Sequence, residues 1–168
     1  MIQLKQNLQR QQKKLKHLRA RFFNSSSLVL SQKTPFEYIK ETELYKVRHY
    51  PAPERKFKEP LVFVAPLAIN MGIYDLYPYR SLVKHFQHSG FEVYLVEWNR
   101  FSFKHKELNF LSFIDQSIPD AIEHICEHAD SPYISLHGWS MAGVFAMLYT
   151  AKHRPEHVKN LMILGSPV

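Results

Sequence analysis

The chain is poor in cysteine and glycine and lacks a long apolar run, and each shortage narrows what it can be. Cys126 stands alone, which excludes an intramolecular disulfide framework and suits a reducing compartment. Its setting, Ile122-Glu-His-Ile-Cys-Glu127, is the middle of an amphipathic helix, where a thiol packs as a small hydrophobe rather than reacts. No stretch reaches the roughly 20 apolar residues of a membrane span, and the N-terminus lacks the apolar core of a secretory signal. A cytoplasmic protein is expected. No spacing of His, Cys and Asp suits a metal, and no cofactor is expected. Acidic residues are missing from residues 1–22, where Lys5, Arg10, Lys13, Lys14, Lys16, Arg19 and Arg21 hold the whole formal net charge of +7. The rest of the chain balances 15 basic against 15 acidic groups, so basicity characterises the tail and not the body. What is plentiful is apolar: 45% hydrophobic and 14% aromatic residues exclude a disordered chain and allow one packed domain.

The tail carries a stripe. Met1, Leu4, Leu8, Gln11, Leu15, Leu18 and Phe22 recur at spacings of three and four, which predicts a basic amphipathic helix followed by a linker over residues 1–33. Such a helix can dock on its own domain, pair with another helix, or lie on an anionic granule or membrane surface. Nucleic acid has only the charge to recommend it, because no aromatic platform or known motif accompanies the basic residues.

Residues 34–168 form the second unit. Apolar runs at 44–50, 61–65, 91–98 and 161–164 read as strands. Helices are expected at 81–88, with Gly90 as its stop, over the face marked by Ile114, Ile118, Ala121, Ile122 and Ile125, and from Met141 to about His153. Strands alternating with helices predict an α/β fold with a doubly wound, mostly parallel sheet.

The run Tyr133-Ile-Ser-Leu-His137-Gly138-Trp139-Ser140-Met141-Ala142-Gly143 reads as a strand, a sharp turn carrying a serine, and a helix that starts with small residues. That is the pattern of a nucleophile elbow, which holds a serine hydroxyl above the carboxyl edge of a parallel sheet. Small residues at 138, 142 and 143 let strand and helix backbones approach closely. Ser140 is therefore the candidate nucleophile. An acyl-transfer serine needs two backbone N–H groups aimed at the developing oxyanion, one from the residue after it, Met141, and one from the loop after an earlier strand. In that loop Pro66 has no N–H to give, so Ala68 is the candidate and Ile69 the reserve. His137 is expected as a hydrogen-bonded histidine at a strand end, and Asp75 as a turn or cap residue. Beyond Ser140 the candidates for a triad acid or histidine are Glu156, His153 and His157. All are expected on the side of the sheet away from the serine.

With these residues in view, the chain from about Thr34 to Val168 resembles the poly(3-hydroxyalkanoate) synthases, a branch of the α/β-hydrolase superfamily. The likeness rests on Thr34-Pro35, Pro66-Leu-Ala-Ile-Asn70, Ile73-Tyr-Asp-Leu76 with Pro78, Ser81-Leu-Val83, Gly90-Phe-Glu-Val-Tyr-Leu-Val-Glu-Trp98, the serine turn and Asn160-Leu-Met-Ile-Leu-Gly-Ser-Pro-Val168. The resemblance implies a hydroxyacyl transfer from coenzyme A thioesters through a covalent acyl-enzyme, at the surface of polyester granules. Two positions depart from the family: Ser140 stands where it has cysteine, and Ala142 where it has glycine. The serine suits an esterase, thioesterase or depolymerase as an alternative. A third reading is a non-catalytic piece that binds a granule or membrane through its basic tail. The family continues into a lid, an acid and a histidine, so the domain is expected to be C-terminally incomplete, completed by a second copy or another polypeptide.

Overall fold

A computed structural model of the chain describes Lys14, Ser31, residues 34–67, Ile69 and residues 71–167. Apart from Lys14 and Ser31, the basic helix and linker expected over residues 1–33 lie outside the described residues, as do Ala68, Asn70 and Val168.

Among the described residues eight strands and three α-helices follow in order: β1 (Glu37–Glu41), β2 (Tyr45–Tyr50), β3 (Leu61–Val64), β4 (Asp75–Tyr77), β5 (Arg80–Ser81), α1 (Leu82–Ser89), β6 (Val93–Trp98), α2 (Ile118–Ala129), β7 (Ile134–Trp139), α3 (Met141–His153) and β8 (Val158–Leu164). Six of the strands make one sheet in the order β1-β2-β6-β3-β7-β8, and β4 pairs with β5 in a small hairpin. The ladders β6–β3, β3–β7 and β7–β8 are parallel, while β1–β2 and β2–β6 are antiparallel. The sheet is therefore mixed, parallel where the candidate site lies.

Its central strands are buried because they are apolar on both faces: every residue of β3 is buried. One face packs Val62, Val64, Val96 and Leu136 against Ile118, Ile122 and Ile125 of α2 and Phe145 and Ala146 of α3. The other packs Leu61, Phe63, Val93 and Leu95 against Val83 of α1 and Met71 and Tyr74 of the preceding loop. Helices thus cover both faces, as the alternating pattern predicts. The expected boundaries of α1 hold to within one residue, since Ser81 caps it by accepting the Lys84 N–H at 3.0 Å and Gly90 closes it with φ 98°.

Besides the short β4–β5 hairpin, three features differ from the sequence expectations. β1 was not expected, because Glu37-Tyr-Ile-Lys-Glu41 is charged at both ends, as an edge strand tolerates. The helix face beginning at Ile114 starts in a π-helical turn, Ser112–Ser117, which widens the helix so that Phe113 stacks on Phe145 at 5.3 Å. Asp75 caps no helix. Its buried carboxylate accepts the backbone N–H of Thr34 at 2.9 Å and its hydroxyl at 2.8 Å, tying the domain's first residues to the β4–β5 hairpin.

β8 lies at the sheet's end, and Met162, Ile163 and Leu164 are 38%, 37% and 52% exposed. An edge that joins unpaired peptide groups to apolar side chains templates association with other chains. The 168-residue chain should therefore self-associate at micromolar concentration, and Met162→Lys with Leu164→Lys should reverse this in sedimentation velocity. A monodisperse wild-type monomer would refute the edge as the cause.

Candidate active site

Ser140 stands between the last residue of β7 and the first of α3, at the carboxyl end of the parallel strands. Its backbone adopts φ 54° and ψ −128°, outside the regions open to unstrained non-glycine residues. Such a conformation costs about 1–3 kcal/mol and persists only where the surroundings enforce it. Here the Ser140 N–H donates to the Leu164 carbonyl at the end of β8, at 2.9 Å. The Ser140 carbonyl accepts the N–H groups of Gly143 at 2.9 Å and Val144 at 3.4 Å, which starts α3. A β-carbon on Gly138 would lie 2.5 Å from the Ala142 carbonyl oxygen and 2.5 Å from the Gly143 α-carbon. The expected need for a small residue at 138 is met by this contact of backbone on backbone, and at 143 by the side chains of Ser166 and Ile163, which a β-carbon there would strike.

Met141, half-exposed, is the first residue of α3, and its N–H is among those at a helix start with no carbonyl inside the helix to bond. Ala68, the other expected oxyanion donor, lies outside the described residues. The reserve, Ile69, turns its N–H toward the Pro66 carbonyl at 3.5 Å. The base of this loop is held firmly. The Trp98 indole donates to the Ala65 carbonyl at 2.6 Å, the Tyr74 hydroxyl donates to the Val64 carbonyl at 3.1 Å, and the Ala65 N–H donates to Val96 at 3.0 Å. Trp98 and Tyr74 were not singled out in the sequence. Their signal, aromatic residues near the carboxyl ends of two buried runs, is common in any packed core.

The hydrogen bond expected of His137 is missing at its Nδ1, which has no partner among the described residues; the ring is buried beside Phe63, centroids 4.9 Å apart. Burial holds its imidazole below the usual histidine value, so the ring is neutral. The histidines that follow Ser140 are engaged elsewhere. His153 Nε2 meets Asp115 at 2.7 Å, with Lys152 on the same carboxylate at 2.6 Å, and His157 Nε2 meets the Tyr149 hydroxyl at 2.7 Å. Glu156 is exposed. Among the described residues no side chain hydrogen-bonds the Ser140 hydroxyl. Cys126 is half-buried in α2, and burial raises its thiol above the ordinary value, as fits a packing role.

A second polar cluster was invisible in the sequence. Glu37, His49 and His128, from β1, β2 and the last turn of α2, bring their ligating atoms within 4.8 Å of one another. Their wide separation along the chain left no spacing to read, and the expectation that no metal set exists rested on spacing alone.

Comparison with known proteins matches residues 66–168 to the family described as alpha/beta hydrolase fold. The chain is 28% identical over 135 residues to the poly(3-hydroxyalkanoate) polymerase subunit PhaC of Haloferax mediterranei, covering 80% of this chain and 27% of that protein. It is 28% identical over 136 residues to the subunit of the same name from Synechocystis, covering 80% and 36% respectively. The resemblance to the synthase family is thus borne out, and the chain spans about a quarter to a third of the length of these relatives. Among solved structures, an alpha/beta hydrolase from a sediment metagenome of the Mar Chica lagoon superposes with a TM-score of 0.56 at 20% identity, over 78% of this chain and 52% of that one. A predicted CIB-like hydrolase of Thermoplasma acidophilum gives 0.56 at 12% identity, over 79% and 62%. These two show a shared fold.

The close approach of β7 and α3 makes Gly138 the most sensitive position of the corner. Gly138→Ala should lower unfolding stability by about 1–3 kcal/mol in urea titration, because backbone and not a flexible side chain must give way. Ala142→Gly, at a buried position of the same helix, should cost about 1–2 kcal/mol, the helix penalty for glycine together with the loss of one buried methyl group.

Proposed function

The chain belongs to the alpha/beta hydrolase fold family, and on that premise we propose that it supplies the nucleophile of an acyl-transfer site for hydroxyacyl thioesters or esters. The observation that carries this reading is the enforced φ 54°, ψ −128° backbone of Ser140 at the turn between β7 and α3, the conformation of a serine in a nucleophile elbow. In the proposed step the Ser140 oxygen attacks the substrate carbonyl, its proton passes to a base, and the thiolate or alkoxide leaves as the acyl ester forms. The N–H groups of Met141 and Ala68 receive the oxyanion. Similarity to polymerase subunits named for poly(3-hydroxyalkanoate) favours 3-hydroxyacyl coenzyme A thioesters as donors, with growing polyester as acceptor. A second reading, ester or thioester hydrolysis, is favoured by the serine itself, whose acyl ester exchanges less readily with thiols than a cysteine thioester does.

The test replaces the hydroxyl by a nucleophile that needs little help from a base. Incubated with 3-hydroxybutyryl coenzyme A, Ser140→Cys should gain one acyl group per chain by intact-mass spectrometry. The wild type should react about 10²–10⁴-fold more slowly, the usual contribution of general-base catalysis, since no described imidazole reaches its hydroxyl. Ser140→Ala, which keeps Cys126, should gain none, and equal labelling of that variant would refute the assignment. Free 3-hydroxybutyrate released in step with labelling would select hydrolysis.

We propose also that the seven basic residues of the first 22 draw the protein to an anionic granule or membrane surface. Binding to vesicles containing phosphatidylserine should weaken sharply between low and physiological salt and disappear when residues 1–22 are deleted. Binding that ignores salt would assign the tail's apolar stripe to a helical partner.

A further inference from the structure

At the end of the sheet opposite Ser140, Glu37 and His49 face each other as cross-strand partners of β1 and β2, and His49 pairs across to Tyr94 of β6. The His49 Nδ1 lies 2.9 Å from Glu37 Oε1, and its Nε2 lies 2.5 Å from Glu92 Oε2. The other oxygen of Glu92 is fixed by the Ala52 N–H at 3.1 Å. His128, from the last turn of α2, sets its ring 4.9 Å from that of His49 and meets the Tyr94 hydroxyl through Nδ1 at 2.8 Å.

We infer that Glu37, His49 and His128 form a divalent-metal site, best suited to zinc. Two imidazoles and one carboxylate are a ligand set that zinc takes in tetrahedral geometry, with a fourth position left for water. The outer contacts prepare the two rings for this task. Metal-binding histidines hold their second ring nitrogen against an oxygen, which sets the tautomer and the ring's aim. Glu92 holds His49 Nε2, so that a metal ion would replace the proton His49 Nδ1 now shares with Glu37, and Tyr94 holds His128 Nδ1, leaving Nε2 for the metal. His49 is buried and stacked on Tyr94, ring centroids 4.6 Å apart, so it is the fixed ligand. Glu37 and His128 are exposed. Ligand atoms now within 4.8 Å must close to about 3.3 Å around a tetrahedral zinc, and those two side chains can make that movement.

The site's role is to clasp. A bound ion would add a direct link from the outermost strand β1 and the end of α2 to β2, beside the β1–β2 ladder and the Tyr94–His128 hydrogen bond already there. It lies far from the serine corner, at the amino ends of the parallel strands, so it takes no part in acyl transfer.

The experiment uses the full chain, stripped with chelator and titrated with cobalt, then zinc. Wild type should bind one cobalt with visible absorption of a tetrahedral centre, lose it to zinc, and melt at a higher temperature with zinc present. Glu37→Gln with His128→Gln, both exposed and so tolerated by the fold, should weaken cobalt binding at least about ten-fold and abolish the zinc-dependent shift in melting. Glu92→Gln, which would not touch the ion, should weaken binding about ten-fold or more through the His49 ring. His153→Gln should change nothing. Equal metal binding by the wild type and the double variant, or no binding by the wild type at micromolar metal, would overturn the inference.

Discussion

The backbone of Gly138 lies so close to α3 that a β-carbon there would stand 2.5 Å from both the Ala142 carbonyl and the Gly143 α-carbon. From this contact the rest of the reactive corner follows. With β7 pressed against α3, the chain has one residue in which to reverse from strand to helix, and that residue takes φ 54°. The strain is local, but the groups that offset it are not. Leu164 of β8 accepts the Ser140 N–H, and a β-carbon on Gly143 would stand 2.9 Å from Ile163 of β8. The outermost parallel strand is therefore part of what holds the serine up. Loosening β8 would release Ser140 toward ordinary backbone geometry before any change in the core, because fraying begins at elements with exposed hydrogen bonds.

The second wall of the site is built the same way, by aromatic residues that spend their polar atoms on backbone. Trp98 of β6 and Tyr74 of the loop before β4 bond the carbonyls of Ala65 and Val64, where β3 ends. A buried carbonyl without a partner is costly, so these two bonds fix where the strand gives way to the loop. Burial also drives the Tyr74 hydroxyl's ionisation above its ordinary range, which keeps it a donor throughout the physiological range. The loop bearing the proposed oxyanion donor thus starts from a rigid point, as a preorganised site requires.

The legible parts of this fold are those where one local rule suffices. Buried parallel strands are apolar at every position, so Leu61–Val64 and Val93–Trp98 announce themselves, and the small residues at 138, 142 and 143 announce the serine corner. β1 was hidden because an edge strand is half solvent-facing and carries charge, and β4–β5 because strands of three and two residues show no period. At His137 the environment of one nitrogen was not legible: Phe63 and Tyr74, distant in sequence, pack around the ring and keep side-chain partners away from Nδ1. The cluster around His49 was beyond reach of any spacing rule, since three separate elements create it only on folding.

Several of the sheet's polar residues cluster on β2 and its neighbours, and there they act on register. β2 is antiparallel to β6 within a sheet whose other core ladders are parallel, and it must be held against a slip that would turn every side chain to the opposite face. Arg48 and Glu97, their side chains 8% and 13% exposed, meet at 2.5 Å on one side of β2, and His49 meets Glu92 on the other. A buried ion pair contributes little net stability, since desolvation offsets most of the attraction. Separating it is another matter, because each partner would then be buried unpaired at a cost of about 3–5 kcal/mol. A one-residue slip would break both pairs at once and drive Val47 out of the core in the same step. The charged residues of β2 therefore select one register more than they strengthen it, and in doing so they bring His49 to Glu37 and Tyr94 at the far end of the sheet.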